Sequence, residues 1–192
     1  LFRSELNSIQ LNDTHPVVAI PEFIRIMTTE NNVSFDEAFI MAKEVFNYTN
    51  HTVMAEALEK WNIELVEKYT PEVFAVIEEI NKRLIKELKK LKVKKKDIAK
   101  YEIISDGQVH MARMATYIGK YVNGVAEIHS EILKKDTLKE WYDIYPDKFQ
   151  NKTNGITQRR WLACCNPELT ELLTRLVGDD SFLKDLDKLK NI

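Results

Sequence analysis

Glycine is scarce in this chain of 192 residues. Gly107, Gly119, Gly124, Gly155 and Gly178 are its only glycines, and none sits in a glycine-rich phosphate loop or a Gly-x-Ser-x-Gly nucleophile elbow. Any phosphate chemistry is therefore expected to draw on parts outside this chain. Cysteine is scarcer still. Cys164 and Cys165 are adjacent, which excludes a disulfide framework and a metal knuckle and suits a reducing cytosol. Charge of one sign is also lacking: 28 basic against 30 acidic residues leave a net charge of −2, with no global pull toward nucleic acid or an anionic membrane. No apolar run approaches the roughly 18 residues of a membrane-spanning helix. The start "LFRSELNS" is neither a signal peptide nor a Met start, so a cut or processed chain is expected. His15, His51, His110 and His129 form no pair at metal-ligand spacing on a helix face, so no metal site is expected.

What is present is largely helical in period. "SIQL" alternates like a short strand, and Val17, Ile20, Phe23, Ile24 and Met27 then line one stripe of a helix beginning near Pro16. Ser34 and Glu37 form a capping box for a helix with Ala38, Phe39, Ala42, Val45 and Phe46 on one face. After the polar stretch "NYTNHT" a helix is expected from about Met54 to Tyr69, with Ala57, Leu58, Trp61 and Leu65 inward. Thr70 should cap, and Pro71 open, a long helix carrying Val73, Ile77, Ile80, Leu84, Leu88 and Leu91. It dissolves into "KKLKVKKKD", which lacks the arginines and interleaved aromatics of a nucleic-acid surface and reads as a solvated helix end.

Beyond it come a strand-like "YEIIS", a turn at Asp106-Gly107 and a helix in "VHMARMATYIG". "KYVNGVAEIHSEILKK" reads as a very short strand, a turn at Asn123-Gly124 and a helix burying Val125, Ile128 and Ile132. His110 and His129, inside helical patterns, read as structural residues. "TLKEWYDIYPDKFQNKTNGITQRRW" has little helical period and is the candidate linker or domain edge, and two further helical patterns follow, separated around Gly178. The fold class is thus α/β and helix-rich with short strands.

Three stretches, "NDTHP", "NYTNHT" and "NKTNGITQRRW", concentrate amides, hydroxyls, imidazoles and a carboxylate. In "LNDTHP" two readings stand side by side. Asp13 or Thr14 caps the next helix, or Asp13, Thr14 and His15 line a site outside the carboxyl end of a strand, where open α/β sheets bind ligands. Neutral polar groups of these kinds suit the hydroxyls of a sugar.

"IQLNDTHPVVAIPEFIRI", "YTNHTVMAEALEKW", "VNGVAEIHSEILKK" and "KFQNKTNGITQRRWL" resemble successive blocks of the α-glucan phosphorylases, in a bacterial-like form. The resemblance runs in order from about Ile9 to the C-terminus. It implies a central fragment of a two-domain, Rossmann-like architecture of the GT-B glycosyltransferase type, with residues 1–150 closing the first domain and 151–192 opening the second. It implies phosphorolysis of an α-1,4-glucan to glucose 1-phosphate by a cytoplasmic, homodimeric parent that uses pyridoxal phosphate, with glucan and inorganic phosphate as partners and neither nucleic acid nor membrane. Asp13 and His15 would line the glucosyl pocket. His51 would be the catalytic group, bonding the sugar's 6-hydroxyl and presenting its backbone carbonyl, while Val125 packs by the ring and Asn154 bonds the 6-hydroxyl from the other side. Trp161 would lie beside the cofactor. The attachment lysine is expected elsewhere, so this chain alone should be inactive. Gln158 replaces the family's usual Pro in "GITPRRW", Ala55 a common Pro, and Ala75 and Glu78 stand where the muscle-type enzyme builds a second glycogen surface. Two other classes compete: a related retaining glycosyltransferase using a nucleotide sugar, and a helical module binding acidic partners through its lysines.

Overall fold

The computed structural model describes residues 3–192; the first two residues of "LFRSELNS" lie outside the described residues. The architecture is helix-rich α/β around a parallel sheet. The chain divides into two compact units between Thr153 and Asn154.

In the first unit β1 (Ile9–Asn12) leads through turns into α1 (Ala19–Thr29), and α2 (Phe35–Val45) runs directly into β2 (Phe46–Thr49). The capping box is present, Glu37 N–H donating to Ser34 Oγ and Ser34 N–H to the Glu37 carboxylate. β1 pairs in parallel with β2, Leu11 opposite Tyr48. "NYTNHT" is therefore not a turn throughout: its first three residues form the strand next to β1. No turn residue separates helix from strand there, so the change of period was invisible.

The expected helix from Met54 to Tyr69 is three elements, a 3₁₀ turn at Ala55–Ala57, β3 (Lys60–Asn62) and α3 (Ile63–Tyr69), with Leu65 56% exposed. β3 pairs with the distant β5 (Gln108–His110), Trp61 opposite Val109, a pairing that local periodicity does not encode. Next, α4 (Pro71–Lys90) buries Val73, Ile77, Ile80, Leu84 and Leu88 and packs on α1 and α3. Pro71 opens it, but the Thr70 hydroxyl donates back to Val66 O instead of capping, and Leu91 is exposed. After α5 (Lys95–Ile98), β4 (Ile104–Ser105) joins β5 through Asp106 at φ 51° and Gly107 at φ 71°, two positive angles of the kind a tight two-residue hairpin needs. α6 (Met111–Ile118) is buried on nearly all sides and packs on β2.

β6 (Val122–Gly124) pairs with β2, so Asn123-Gly124 is strand and not turn. Its helix α7 (Glu127–Ile132) widens into a π-helical turn at Leu133–Thr137. Ile128 is 74% exposed, against expectation, while His129, Ser130 and Leu133 face inward, because the entry of α7 is set by its bonds to the preceding turn and not by its most apolar face. The first part of the stretch after Thr137 is not a linker: it holds α8 (Lys139–Ile144), a 3₁₀ turn at Pro146–Lys148 and β7 (Phe149–Asn151), which closes the sheet beside β6, while the edge between the two units falls later in the same stretch, after Thr153. Its order comes from rings, Trp141 on Tyr101 and Tyr117 and Tyr142 on Phe149, and not from helix propensity.

The second unit is a π-helical turn at Arg159–Cys164, α9 (Pro167–Val177) and two 3₁₀ segments. Asn166 caps α9 by accepting from Leu169 N–H, and Gly178 ends it at φ 99°. Gln158 ties this unit internally by donating to Leu183 O at 2.8 Å.

Candidate functional site

The parallel sheet has the order β1, β2, β6, β7, so the carboxyl ends of all four strands lie along one edge. Three of those ends carry expected site residues. Asp13 follows β1, His51 follows β2 and Val125 follows β6. Residues far apart in sequence thus share one edge because the strands that deliver them are neighbours.

Asp13 takes φ 62°, a left-handed angle that Asp tolerates better than most residues. Its N–H donates to Thr49 O and its carboxylate accepts Thr14 N–H, both at 2.9 Å. The capping reading of this turn fails, since the residue before α1 is Val18, in helical conformation, with no side-chain cap. Asp13 bends the chain, Thr14 is buried, and His15 projects with its side chain 82% exposed.

Glu59, which falls inside the helix expected from Met54 to Tyr69, holds this turn. Its carboxylate accepts from Thr14 Oγ1 at 2.6 Å and Trp61 Nε1 at 2.8 Å, and lies 3.8 Å from His15 Nδ1. Partial burial works to raise the Glu59 carboxyl, but the bonds from Thr14 and Trp61, with His15 nearby, hold it below its usual value. The only sequence signal was a Glu two residues before a Trp in an apolar stretch.

His51 is exposed, and its Nε2 lies 2.7 Å from Asn12 Oδ1, which orients the ring across the β1–β2 step. Asn50 beneath it is fully buried and bonded three ways, its backbone N–H to Asn123 O, its amide nitrogen to Tyr48 OH, and its amide oxygen from Thr52 N–H. Burial pushes the Tyr48 phenol well above its usual range, keeping it neutral. The backbone that carries His51 is thus fixed while its ring is free to meet a ligand. A polar ladder braces the same edge: Gln10 donates to Thr49 Oγ1 at 2.8 Å, Thr49 to Asn123 Oδ1 at 3.0 Å, and Asn123 to Gly124 O at 2.9 Å.

Val125 is half-buried in the turn between β6 and α7. Asn154 and Trp161 belong to the second unit, both exposed, Trp161 to 69%. Its open indole face suits packing against a planar cofactor. No lysine of this chain is identified as a Schiff-base former. Lys148 comes nearest, since burial pushes its ammonium down to about 7. Its Nζ, however, is engaged by the carbonyls of Thr116, Tyr117 and Gly119 at 3.0, 2.7 and 2.9 Å, where it closes the end of α6 and has no free face for an aldehyde. Among the described residues no His, Cys, Asp or Glu group could hold a metal ion.

The chain as a whole matches part of longer known proteins. The family described as carbohydrate phosphorylase matches residues 3–192. The chain is 47% identical over 171 residues to a maltodextrin phosphorylase of Streptococcus pneumoniae, covering 89% of this chain and 22% of that protein. It is 42% identical over 190 residues to a cytosolic alpha-glucan phosphorylase of Arabidopsis thaliana (96% and 23%), and 43% identical over 189 residues to the muscle-form glycogen phosphorylase of Homo sapiens (96% and 22%). The chain spans about a fifth of the length of these relatives.

Proposed function

The chain belongs to the carbohydrate phosphorylase family, and from that premise we propose that it supplies one wall of the glucosyl site of an α-glucan phosphorylase. The parent transfers the terminal glucosyl unit of an α-1,4-glucan to inorganic phosphate. The bond from C1 to the glycosidic oxygen breaks, a bond from C1 to a phosphate oxygen forms, a proton reaches the departing 4-hydroxyl, and glucose 1-phosphate leaves.

The observation that carries this reading is the convergence of Asp13, His15, His51 and Val125 at adjacent carboxyl ends of one parallel sheet. A glucosyl ring is neutral and rich in hydroxyls, so it is best held by groups like these, set on a rigid edge. The charge that grows at C1 during transfer is met by fixed dipoles, and the His51 carbonyl, anchored through Asn50, is one. Asp13 and His15 line the pocket, and His51 bonds the sugar's 6-hydroxyl through its ring. Pyridoxal phosphate, when bound, supplies a phosphate group as the acid. Trp161 fits beside its ring, and the attachment lysine belongs to a segment of the parent other than residues 3–192. The parent is a cytoplasmic homodimer.

The test is phosphorolysis of maltodextrin by the full-length parent, reading glucose 1-phosphate with phosphate varied. Phosphate-dependent release is expected. Glucan extension from a nucleotide sugar, without phosphate-dependent release, would overturn the reading in favour of a synthase. The 192-residue chain alone, given pyridoxal phosphate, glucan and phosphate, is expected to form no adduct and no product.

A further inference from the structure

His129 is a buried histidine whose two ring nitrogens are treated unequally. It is 7% exposed, and its Nδ1 accepts the Val125 N–H at 3.1 Å. Accepting there requires a lone pair on Nδ1, so the ring is neutral with its proton on Nε2. That Nε2 is buried and has no hydrogen-bond partner among the described residues. A buried donor left unmade is destabilising, and a leucine would fill the space without one. A leucine would, however, leave the Val125 N–H without its acceptor. What the ring gains is the acceptor at Nδ1.

The acceptor has one use, the turn between β6 and α7. The residue before α7, Ala126, is extended and gives no side-chain cap, so the entry to the helix is held by His129 reaching back one turn to Val125. The other sides are fixed as well. Gly124 O accepts from Asn123 Nδ2 and from Lys152 N–H. A Cβ on Gly124 would lie 2.6 Å from Ser130 Oγ and 2.9 Å from Ser130 Cα, so α7 is pressed onto the strand end. Ser130 in turn donates to Asn151 Oδ1 on β7 at 2.7 Å. The Val125 amide is thus held to the site edge by His129 while strands on either side clamp its neighbours.

We propose that His129 is a positioning residue for glucosyl transfer, its neutral imidazole fixing the Val125 turn against the reacting sugar while itself touching no substrate. This rests on the phosphorylase reading given above. The test uses the full-length parent with His129→Asn, His129→Gln and His129→Leu, measuring kcat, KM for maltodextrin and the thermal midpoint. Asn places its carbonyl oxygen where Nδ1 stands, whereas Gln places its amide near Nε2. His129→Leu and His129→Gln are expected to lower kcat at least tenfold with KM changed less than about threefold and melting within a few degrees of the wild type. His129→Asn is expected to recover kcat to within about threefold. Wild-type kcat in His129→Leu, or losses that follow the melting temperature equally in all three variants, would overturn the positioning role. An inactive wild-type parent would overturn the phosphorylase reading itself, and the role of His129 with it.

Discussion

The two units of the chain use apolar residues in opposite ways. In the first, α4 turns Ile77, Ile80, Leu84 and Leu88 into a core with α1, α2 and α6, each of the four at most 1% exposed. In the second, α9 is as amphipathic, yet Leu169, Leu172 and Leu176 are 40%, 45% and 57% exposed. Phe182 is the one large hydrophobic side chain described as fully buried there. The same 3.6-residue pattern therefore has two outcomes, and what differs is whether other elements are present to cover it. The comparison also separates tasks: the first unit carries a rigid sheet edge on its own core, while the second offers exposed groups such as Asn154 and Trp161.

The largest effect that tests this contrast is a matched pair of truncations. Leu84→Ala in the 192-residue chain is expected to cost about 2–5 kcal/mol, as for a fully buried leucine, and Leu172→Ala less than about 0.5 kcal/mol. Urea unfolding of both variants measures it. Equal losses would show that the stripe of α9 is covered after all.

Next comes the sheet edge. His51→Ala in the full-length parent should lower kcat by the worth of a desolvated sugar hydrogen bond, on the order of 1–3 kcal/mol or roughly 5- to 150-fold, with little change in melting, because the exposed ring holds only Asn12. An unchanged kcat would make His51 a brace and not a ligand group.

A pair of glycines sharpens the comparison further. Gly124→Ala puts a methyl group against the backbone of Ser130 and should destabilise the first unit by about 1–3 kcal/mol, whereas Gly155→Ala meets nothing within 4 Å and should be neutral or slightly stabilising. Thermal melts of the two variants decide between them.

The smallest effect is a slope with pH. Burial, with Arg113 and Lys60 nearby, lowers His110 from 6.5 to about 4, while its Nε2 bonds Ser105 Oγ at 2.9 Å. The unfolded chain then binds a proton that the folded chain refuses, so stability is full above about pH 6.5 and falls as the pH drops toward 4. The slope is at most about 1.4 kcal/mol per pH unit. His110→Gln should flatten that part of the profile, read by urea midpoints from pH 7 to 4. The second unit has no histidine and should contribute none of it.

Local signals were read correctly where the cause was local. The Ser34–Glu37 capping box, the Asp106-Gly107 turn, Pro71 at a helix start and the stripe of α4 each depend on residues within a turn or two of one another. They failed where the deciding partner was distant. β2 and β3 were hidden because their ladders lie with β1 and β5. The order of α8 and β7 was hidden because rings from other elements hold it. In the site, "NDTHP" and "TNHT" were legible as polar stretches, but the strand at Val122–Gly124, Glu59 and the Nδ1 acceptor of His129 were not, since each depends on a residue that only folding brings within reach.

By itself, then, the sequence determined the family, the helix-rich class and the stretches that carry polar groups for a sugar. These rest on residue identity and short-range periodicity, which do not depend on where the chain goes next. The tertiary structure alone decided that Asp13, His51 and Val125 stand on adjacent strand ends, that Asp13 bends the chain instead of capping a helix, and that His129 faces inward while Ile128 faces water. The physical reason is that strand order and helix rotation are set by long-range hydrogen bonds and packing, whose strength depends on partners many residues away.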